Sequence, residues 1–532
     1  MFGHCRDRSL IPVKDLEKYD ETELYEESDE EEADNGRENG SHIRTTRRTW
    51  NLIMVYLLFL CEAIMASSLS SPIALIAPAP ACLSLDASFI RSILDCSYFF
   101  GGALGLLWGW TADICGRRRV VLFGLAGMSI CCVATTFASG FLAFALLRCV
   151  AGAFAAAITV PALAMLADIT HESENRPKLV ACLPLVAICG RSVPLAAEAL
   201  FQLVEGSEID SGAGHSGMIG QIVSIFLVLA IAIAEALSLQ ETLSQDTNDA
   251  AQSGLIQDSE KAAFLGQSFS NRSGESLNSS TGSTTSITRS RISISQMVTV
   301  PSVMMLLASF SLLSLHSSTF EVLLPHLGHS EIGNGGMGLP CAWLGLIVTT
   351  IKALAAYQVF KAVPSLVAKI GLLPLYRKSS LGFPILYTIV PLAGIAISMA
   401  GQMSALSAVI GVIAVWTKTV LSGSAETLIL LLVLSAAPDA ASTGTVIGVI
   451  SVSQLFKALA VGISGMSYFI SNDYSSIAVN GSLWAALTVT AAIGAAVTWR
   501  VRETTRVGAD IPEECLVWQG MFDLESEDEA NE

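Results

Sequence analysis

The sequence contains little charge for its length, since only 14 % of its 532 residues are Asp, Glu, Lys or Arg, whereas 52 % are hydrophobic. That balance is wrong for a soluble enzyme and indicates a polytopic membrane protein. The 12 cysteines form no C-x-x-C pair and no metal-ligand spacing with His, so we expect reduced, buried thiols and no metal site. No G-x-x-x-x-G-K-[ST] loop and no nucleophile–base set is present, so we expect neither ATP use nor catalysis, and no cofactor.

The net charge of −17 is concentrated in polar segments outside the hydrophobic part. Residues 1–49 hold 8 Lys or Arg against 14 Asp or Glu, and residues 500–532 hold 3 against 10. We predict that both are acidic cytosolic tails, the first one disordered. Residues 241–296 are rich in Ser, Thr, Gly and Asn, which predicts a disordered cytosolic linker. The linker separates two hydrophobic domains, 50–240 and 297–499.

Each hydrophobic domain contains six apolar runs that are close to the ~20 residues a helix needs to cross a bilayer. The runs lie at about 51–72, 89–110, 120–137, 141–166, 179–201 and 221–239, and then at 299–325, 341–363, 380–400, 406–434, 443–470 and 483–498. Alternate loops carry the Lys and Arg, while the loops between them carry none except Arg91. Because basic loops stay in the cytosol, both termini are predicted to be cytosolic. The sequence thus predicts an all-α membrane protein with twelve transmembrane helices.

A short charged stretch joins the second and third runs. In it, Gly109, Asp113, Gly116 and Arg117 follow the spacing G-x-x-x-D-x-x-G-R, and Arg118 and Arg119 come next. This pattern resembles the loop 2–3 signature of the major facilitator superfamily. A plain basic loop is the alternative, but it would require neither the glycines nor the acid at this spacing. In the same region Gly101, Gly105 and Gly109 form a ridge that would allow another helix to approach closely.

The resemblance extends from residue 50 to residue 500. Arg148 with Gly152 is similar to the helix 4 pattern R-x-x-x-G, Asp168 with Arg176 to the acid–arginine loop 4–5, and residues 239–243 to the P-E-T-L end of helix 6 in fungal members. Stretches 315–325, 335–339 and 437–445 resemble fungal relatives of the zinc-induced facilitator-like and tetracycline-efflux (drug:proton antiporter) carriers. The helix 5 element departs from the antiporter pattern, because it lacks the flanking glycines and adds Arg191 and Glu198.

The resemblance implies two pseudo-symmetric six-helix bundles around a central cavity lined by helices 1, 2, 4, 5, 7, 8, 10 and 11. The ionisable residues near mid-span lie on these helices, where a charge costs at least ~2.5 kcal/mol unless it meets water or a partner. We predict three groups: a gating motif of Gly109, Asp113, Gly116, Arg117, Arg119 and Asp168; a proton-coupling group of Asp95, Arg148 and Glu62; and a substrate cavity of Arg191, Glu198, Glu321, Lys352, Lys418, Glu426 and Lys457. The alternative is that such pairs only fix helix register.

Specific contacts follow for these groups. By family analogy, Asp113 should meet the start of helix 11, and Arg117 or Arg119 should meet Asp168. Asp95 and Arg148 are at similar depth and should pair. Lys352, Lys418 and Lys457 have only Glu426 as an acid on their own helices, so we expect them to repel one another unless an anion lies between them.

The function we expect is secondary active transport, with proton-coupled export of a small organic, anionic solute by alternating access. An importer and a non-transporting membrane sensor of the same fold stay open as alternatives. The expected partners of the monomer are a small-molecule substrate, protons and the lipid bilayer of the plasma or vacuolar membrane, with no nucleic acid.

Overall fold

A computed structural model describes ten stretches of the chain, residues 47–68, 85–138, 140–171, 173–205, 213–243, 301–329, 341–399, 404–437, 442–470 and 477–501. The predicted tails and linker, apart from a few residues at their edges, and the stretch 335–339 lie outside these ranges. The chain divides into two compact units, Met1–Ile53 and Met54–Glu532. Within the first unit only residues 47–53 are described, and they are helical. All contacts reported below belong to the second unit, and the predicted domain boundaries stay a prediction.

The described stretches contain twelve long helices and no strand, which confirms the predicted fold class. In chain order they are α1 (Arg47–Ser68), α2 (Leu85–Gly102 and Gly105–Cys115), α3 (Arg117–Phe137), α4 (Phe141–Thr170), α5 (Arg176–Ala181 and Leu183–Glu205), α6 (Ala213–Ser238), α7 (Pro301–His329), α8 (Cys341–Ile370), α9 (Leu372–Met399), α10 (Ser404–Ala436), α11 (Thr443–Ser451 and Gln454–Ile470) and α12 (Ile477–Arg500). Eleven of them, all except α9, have the length and apolar composition to cross a membrane.

Two tight turns in corresponding positions of the two halves contain a glycine in the left-handed region. Gly116, between α2 and α3, has φ +97°, and Gly371, between α8 and α9, has φ +92°. A side chain with a Cβ is disfavoured there, so glycine allows one helix to end and the next to begin at once. The correspondence supports the internal repeat of the two six-helix halves.

The two halves meet chiefly along α2 and α11, which pack against each other in both of their segments. Within the halves, α4 packs on α2 and α3, and α7 packs on α11 and α12. Large apolar side chains such as Ile130 on α3 and Phe226 on α6 are exposed. In a membrane protein such a surface faces lipid tails, and the polar groups are left for the interior.

Candidate functional site

Asp113 closes the contact between α2 and α11 at one face of the bundle. We call this the Arg117 face; α2, α4 and α10 end there, and α3, α5 and α11 begin there. The buried Asp113 carboxylate accepts hydrogen bonds from Gly444 N (3.1 Å), Thr445 N (2.7 Å) and Thr445 Oγ1 (2.8 Å). Backbone N–H groups in the first turn of a helix have no partner within the helix and carry its positive dipole end. The predicted contact with the start of helix 11 is therefore present.

Arg117 forms the second part of this arrangement and is completely buried. Its guanidinium pairs with Asp168 at the end of α4, lies 3.9 Å from Asp113 Oδ1, and donates from Nη1 to the Ala164 carbonyl (2.9 Å). Arg119 is exposed. Two residues along a helix rotate a side chain by about 200°, so only one of the two arginines can point inward. Arg117 is the partner of Asp168, and the alternative assignment to Arg119 is wrong.

We call Asp113, Arg117, Asp168, Gly444 and Thr445 the latch. Its residues come from α2, α3, α4 and α11, so it ties the two halves together at the Arg117 face. A second tie lies nearby, where Arg176 Nη2 at the start of α5 donates to the Leu434 carbonyl near the end of α10 (2.9 Å). With these contacts formed, the bundle is closed at this face.

A chain of polar groups crosses α1, α2 and α4 farther from the Arg117 face. Asp95 pairs with Arg148, whose guanidinium carbon lies 5.2 Å from the centre of the Tyr98 ring. Tyr98 in turn donates its hydroxyl to Glu62 Oε1 (2.9 Å). The predicted pair of Asp95 and Arg148 is thus present. Tyr98, which was not among the predicted residues, connects this pair to Glu62.

In the second half, Glu321 on α7 lies between two lysines. Its carboxylate oxygens are 3.8 Å from Lys352 Nζ on α8 and 3.6 Å from Lys418 Nζ on α10. Lys418 is buried and also donates to the carbonyl (3.2 Å) and hydroxyl (3.0 Å) of Ser317. An anion is expected between lysines at similar depth, and for Lys352 and Lys418 the chain itself supplies it. The helices that carry the lysines offer only Glu426, whereas this acid comes from α7.

Three of the remaining predicted cavity residues interact with this group of charges. Arg191 on α5 and Lys457 on α11 each interact electrostatically with both Glu62 and Glu321. Glu426 interacts in the same way with Lys418. The side chain of Glu198 lies outside what the structure describes. We call the seven residues Glu62, Arg191, Glu321, Lys352, Lys418, Glu426 and Lys457 the central cluster.

Half of the Glu321 side-chain surface is accessible (52 %) although charged groups from four other helices surround it. An accessible carboxylate in the middle of a bundle faces a space between helices. In the described residues no group of three or more His, Cys, Asp or Glu is placed to hold a metal ion.

The long helices, the latch and the central cluster are the features to compare with known protein families. The model of the Major Facilitator Superfamily matches residues 51–451. The chain belongs to this superfamily. No curated protein matches the sequence.

Solved structures of other members have the same fold. Two crystal structures of a bacterial homologue of the iron transporter ferroportin, both outward-facing and one soaked with iron, superpose with a TM-score of 0.56 at 17 % identity. They cover 86 % of this chain and 99 % of theirs. The proton:xylose symporter XylE bound to 6-bromo-6-deoxy-D-glucose has a TM-score of 0.58 at 13 % identity, covering 89 % of this chain and 99 % of its own. At these identities the likeness is one of fold.

In this member of the superfamily the latch is supported by Glu241, a residue without a predicted role. Its carboxylate accepts hydrogen bonds from the N–H groups of Arg117 and Arg118, both 3.0 Å long, and so caps the start of α3. A Cβ on Gly116 would lie only 2.8 Å from Glu241 Oε2, so a larger residue there would displace the cap. Residues 239–243 resemble the end of helix 6 in fungal members, but sequence spacing offers no partner for the acid of this segment.

We expect Glu241→Ala to lower the stability of the protein by about 1 kcal/mol, because it removes both acceptors of an N-terminal cap. The measurement is the Tm of the purified protein in detergent. Glu174→Ala, which removes an exposed carboxylate from the same face, serves as the control and should leave Tm unchanged. Equal Tm values for the two variants would contradict the capping role.

The predicted glycine ridge of α2 is divided between two neighbours. Gly101 packs against the backbone of α4 at Cys149, whereas Gly105 and Gly109 pack against α11. On the α11 side, a Cβ on Gly448 would lie 2.9 Å from the Gly105 carbonyl oxygen. Glycines on both sides bring the backbones into direct contact, which places the start of α11 within hydrogen-bond distance of Asp113.

Proposed function

We propose that this chain is a proton-coupled secondary transporter that exports a small organic solute by alternating access. The observation that carries the proposal is that ionisable groups from both halves meet in an accessible space at mid-span, while the latch closes the bundle at one face. Carriers of this architecture bind substrate near the middle of the membrane and move one half against the other. The latch would hold the closed state at the Arg117 face and release it in the opposite state.

We also propose an orientation of the protein in the membrane and a site for its coupling to protons. The basic loops favour a cytosolic Arg117 face and cytosolic termini, in the plasma or vacuolar membrane. The resemblance to fungal drug:proton antiporters supports export with proton exchange. The pair of Asp95 and Arg148 is the proposed proton site, because separating them would leave a carboxylate in a low-dielectric interior, which is costly unless it takes up a proton.

Flux across the membrane of liposomes that contain the purified protein tests the function, with and without a pH gradient. We expect solute accumulation driven by the gradient and abolished by its collapse. Uptake driven into the compartment that corresponds to the cytosol would indicate an importer. No flux of any solute under either condition would favour a membrane sensor that does not transport.

We expect Asp95→Asn to remove the dependence of flux on the pH gradient, because the amide cannot take up a proton at neutral pH. Arg91→Gln is the matched control, since Arg91 is the weaker partner of Asp95, 3.9 Å away and largely exposed. The control should keep the gradient dependence. If the Asp95→Asn protein responds to the gradient like the wild type, Asp95 is not the coupling acid.

A further inference from the structure

Two cations of the central cluster, Arg191 and Lys457, differ from Lys352 and Lys418 in their distance from the acids. Lys352 and Lys418 lie within 4 Å of Glu321. Arg191 and Lys457, by contrast, form no ion pair within 4 Å among the residues whose side chains the structure describes. Arg191 belongs to the first half and Lys457 to the second, so these two cations come from the two parts that move against each other in the proposed cycle.

Close packing of α5 on α1 fixes the position of Arg191. A Cβ on Gly190 would lie 2.7 Å from the Ala63 methyl group and 2.8 Å from the Leu60 carbonyl oxygen, so these residues flank Glu62 at the contact. Ser67 Oγ also donates to the Arg191 carbonyl (2.9 Å). The guanidinium is exposed, yet it interacts electrostatically with Glu62 on α1, Tyr98 on α2 and Glu321 on α7. An exposed group with partners on three inner helices faces the space between them.

Lys457 is placed by the interruption of α11. The helix breaks between Ser451 and Gln454, and Lys457 lies in the first turn of the second segment. α2 is interrupted beside it, since Gly102, the last residue of its first segment, lies next to the Gln454 side chain. Lys457 is half-buried and interacts electrostatically with Glu62 and Glu321, as Arg191 does.

The charges of the central cluster do not cancel. Counted over these seven residues, whose side chains the structure describes, four cations, Arg191, Lys352, Lys418 and Lys457, stand against three acids, Glu62, Glu321 and Glu426, which leaves one positive charge. Two of the acids are engaged by other groups, Glu321 by two lysines and Glu62 by the Tyr98 hydroxyl. At the low effective dielectric of a protein interior, an excess cation attracts an anion strongly.

From this arrangement we infer that the solute carries a single anionic group, a carboxylate or a similar charge, which binds between Arg191 and Lys457 and bridges the two halves. The inference rests on the proposed function and names its substrate class. A guanidinium presents a planar fork of donors that fits a carboxylate, and the Lys457 ammonium adds a point charge from the opposite side. Lys352 and Lys418 then act as partners of Glu321 rather than as ligands of the solute.

The test is ligand-induced stabilisation of the purified protein, measured as the rise in Tm. The probes are a panel of small organic acids led by benzoate and hexanoate, each beside its neutral amide and the matching amine, with chloride and sulfate as inorganic anions. We expect acids to raise Tm, and amides, amines and inorganic anions to leave it unchanged. Arg191→Gln and Lys457→Gln should each weaken acid binding at least about tenfold, whereas Arg191→Lys should retain part of it.

Lys361→Gln is the matched control, because Lys361 is an exposed cation on α8 that lies over the Tyr357 ring, apart from the central cluster. It should bind the acids like the wild type. Stabilisation by amines or amides instead of acids, by inorganic anions alone, by no acid of the panel, or to the same extent in all variants would overturn the inference. Flux separates this result from the proposed function: gradient-driven transport of a neutral or cationic solute leaves that function standing without the anion site. Acid binding with no flux of any solute would support the anion site and contradict the proposed transport function.

Discussion

Asp113→Asn is expected to lower transport at least about tenfold while the protein stays folded. The Asp113 carboxylate accepts three hydrogen bonds from the start of α11, and an amide offers one acceptor oxygen and a donor group that opposes the N–H groups. A hydrogen bond to a charged group contributes about 1.5–3 kcal/mol. Because these bonds belong to the state closed at the Arg117 face, their loss shifts the population away from that state. A cycle that has to pass through it slows accordingly.

The measurement is flux in liposomes, with yield and Tm of the purified variant as evidence of folding. Thr445→Val provides a graded comparison, since it removes the hydroxyl bond to Asp113 and leaves both backbone bonds in place. It should reduce flux less than Asp113→Asn does. Wild-type flux in the Asp113→Asn protein would refute the proposed role of the latch.

Gly109→Ala should have an effect of similar size for a steric reason. A Cβ at this position would overlap the Gly444 carbonyl oxygen, which is backbone and cannot swing away as a side chain would. α2 and α11 must then separate by a fraction of an ångström or more, which lengthens the bonds from Asp113 to Gly444 and Thr445. We expect flux to fall more than about tenfold.

Gly345→Ala is the matched control for this substitution. Gly345 lies within α8, and a Cβ there would meet no atom within 4 Å. Alanine also favours a helix over glycine by about 1 kcal/mol, so the control should fold and transport like the wild type. If both alanine variants transport normally, the close approach of α2 and α11 is not required for the cycle.

The number of helices and the contact of Asp113 could be predicted because each follows from a local pattern. Apolar runs of membrane-spanning length predict helices whatever their neighbours are, and the spacing from Gly109 to Arg117 resembles a family signature. That Arg117 rather than Arg119 points inward depends on where α3 begins. The turn at Gly116 and the cap from Glu241 determine that start, and residue 241 is far away in sequence.

The sequence predicts which residues belong to the central cluster, but not which of them form pairs. Burial cost alone places ionisable residues on the inner helices. Which charges meet depends on the rotation of each helix about its axis, and the sequence of a helix that is apolar on every side contains little information on that rotation. Glu321 therefore seemed to be one acid among several, although in the structure it is the counterion of two lysines on α8 and α10.

The single excess cation of the central cluster has an electrical consequence. A charge that crosses the full membrane field gains or loses ~2.3 kcal/mol per 100 mV. In the proposed cycle, a bound anion would neutralise the cluster and make the loaded step indifferent to voltage, whereas the carrier that resets without the anion would move the excess positive charge together with the proton on Asp95. An inside-negative potential then favours the empty cavity facing the cytosol, which is the loading side of an exporter. Membrane voltage would thus drive the reset step and leave the loaded step unaffected.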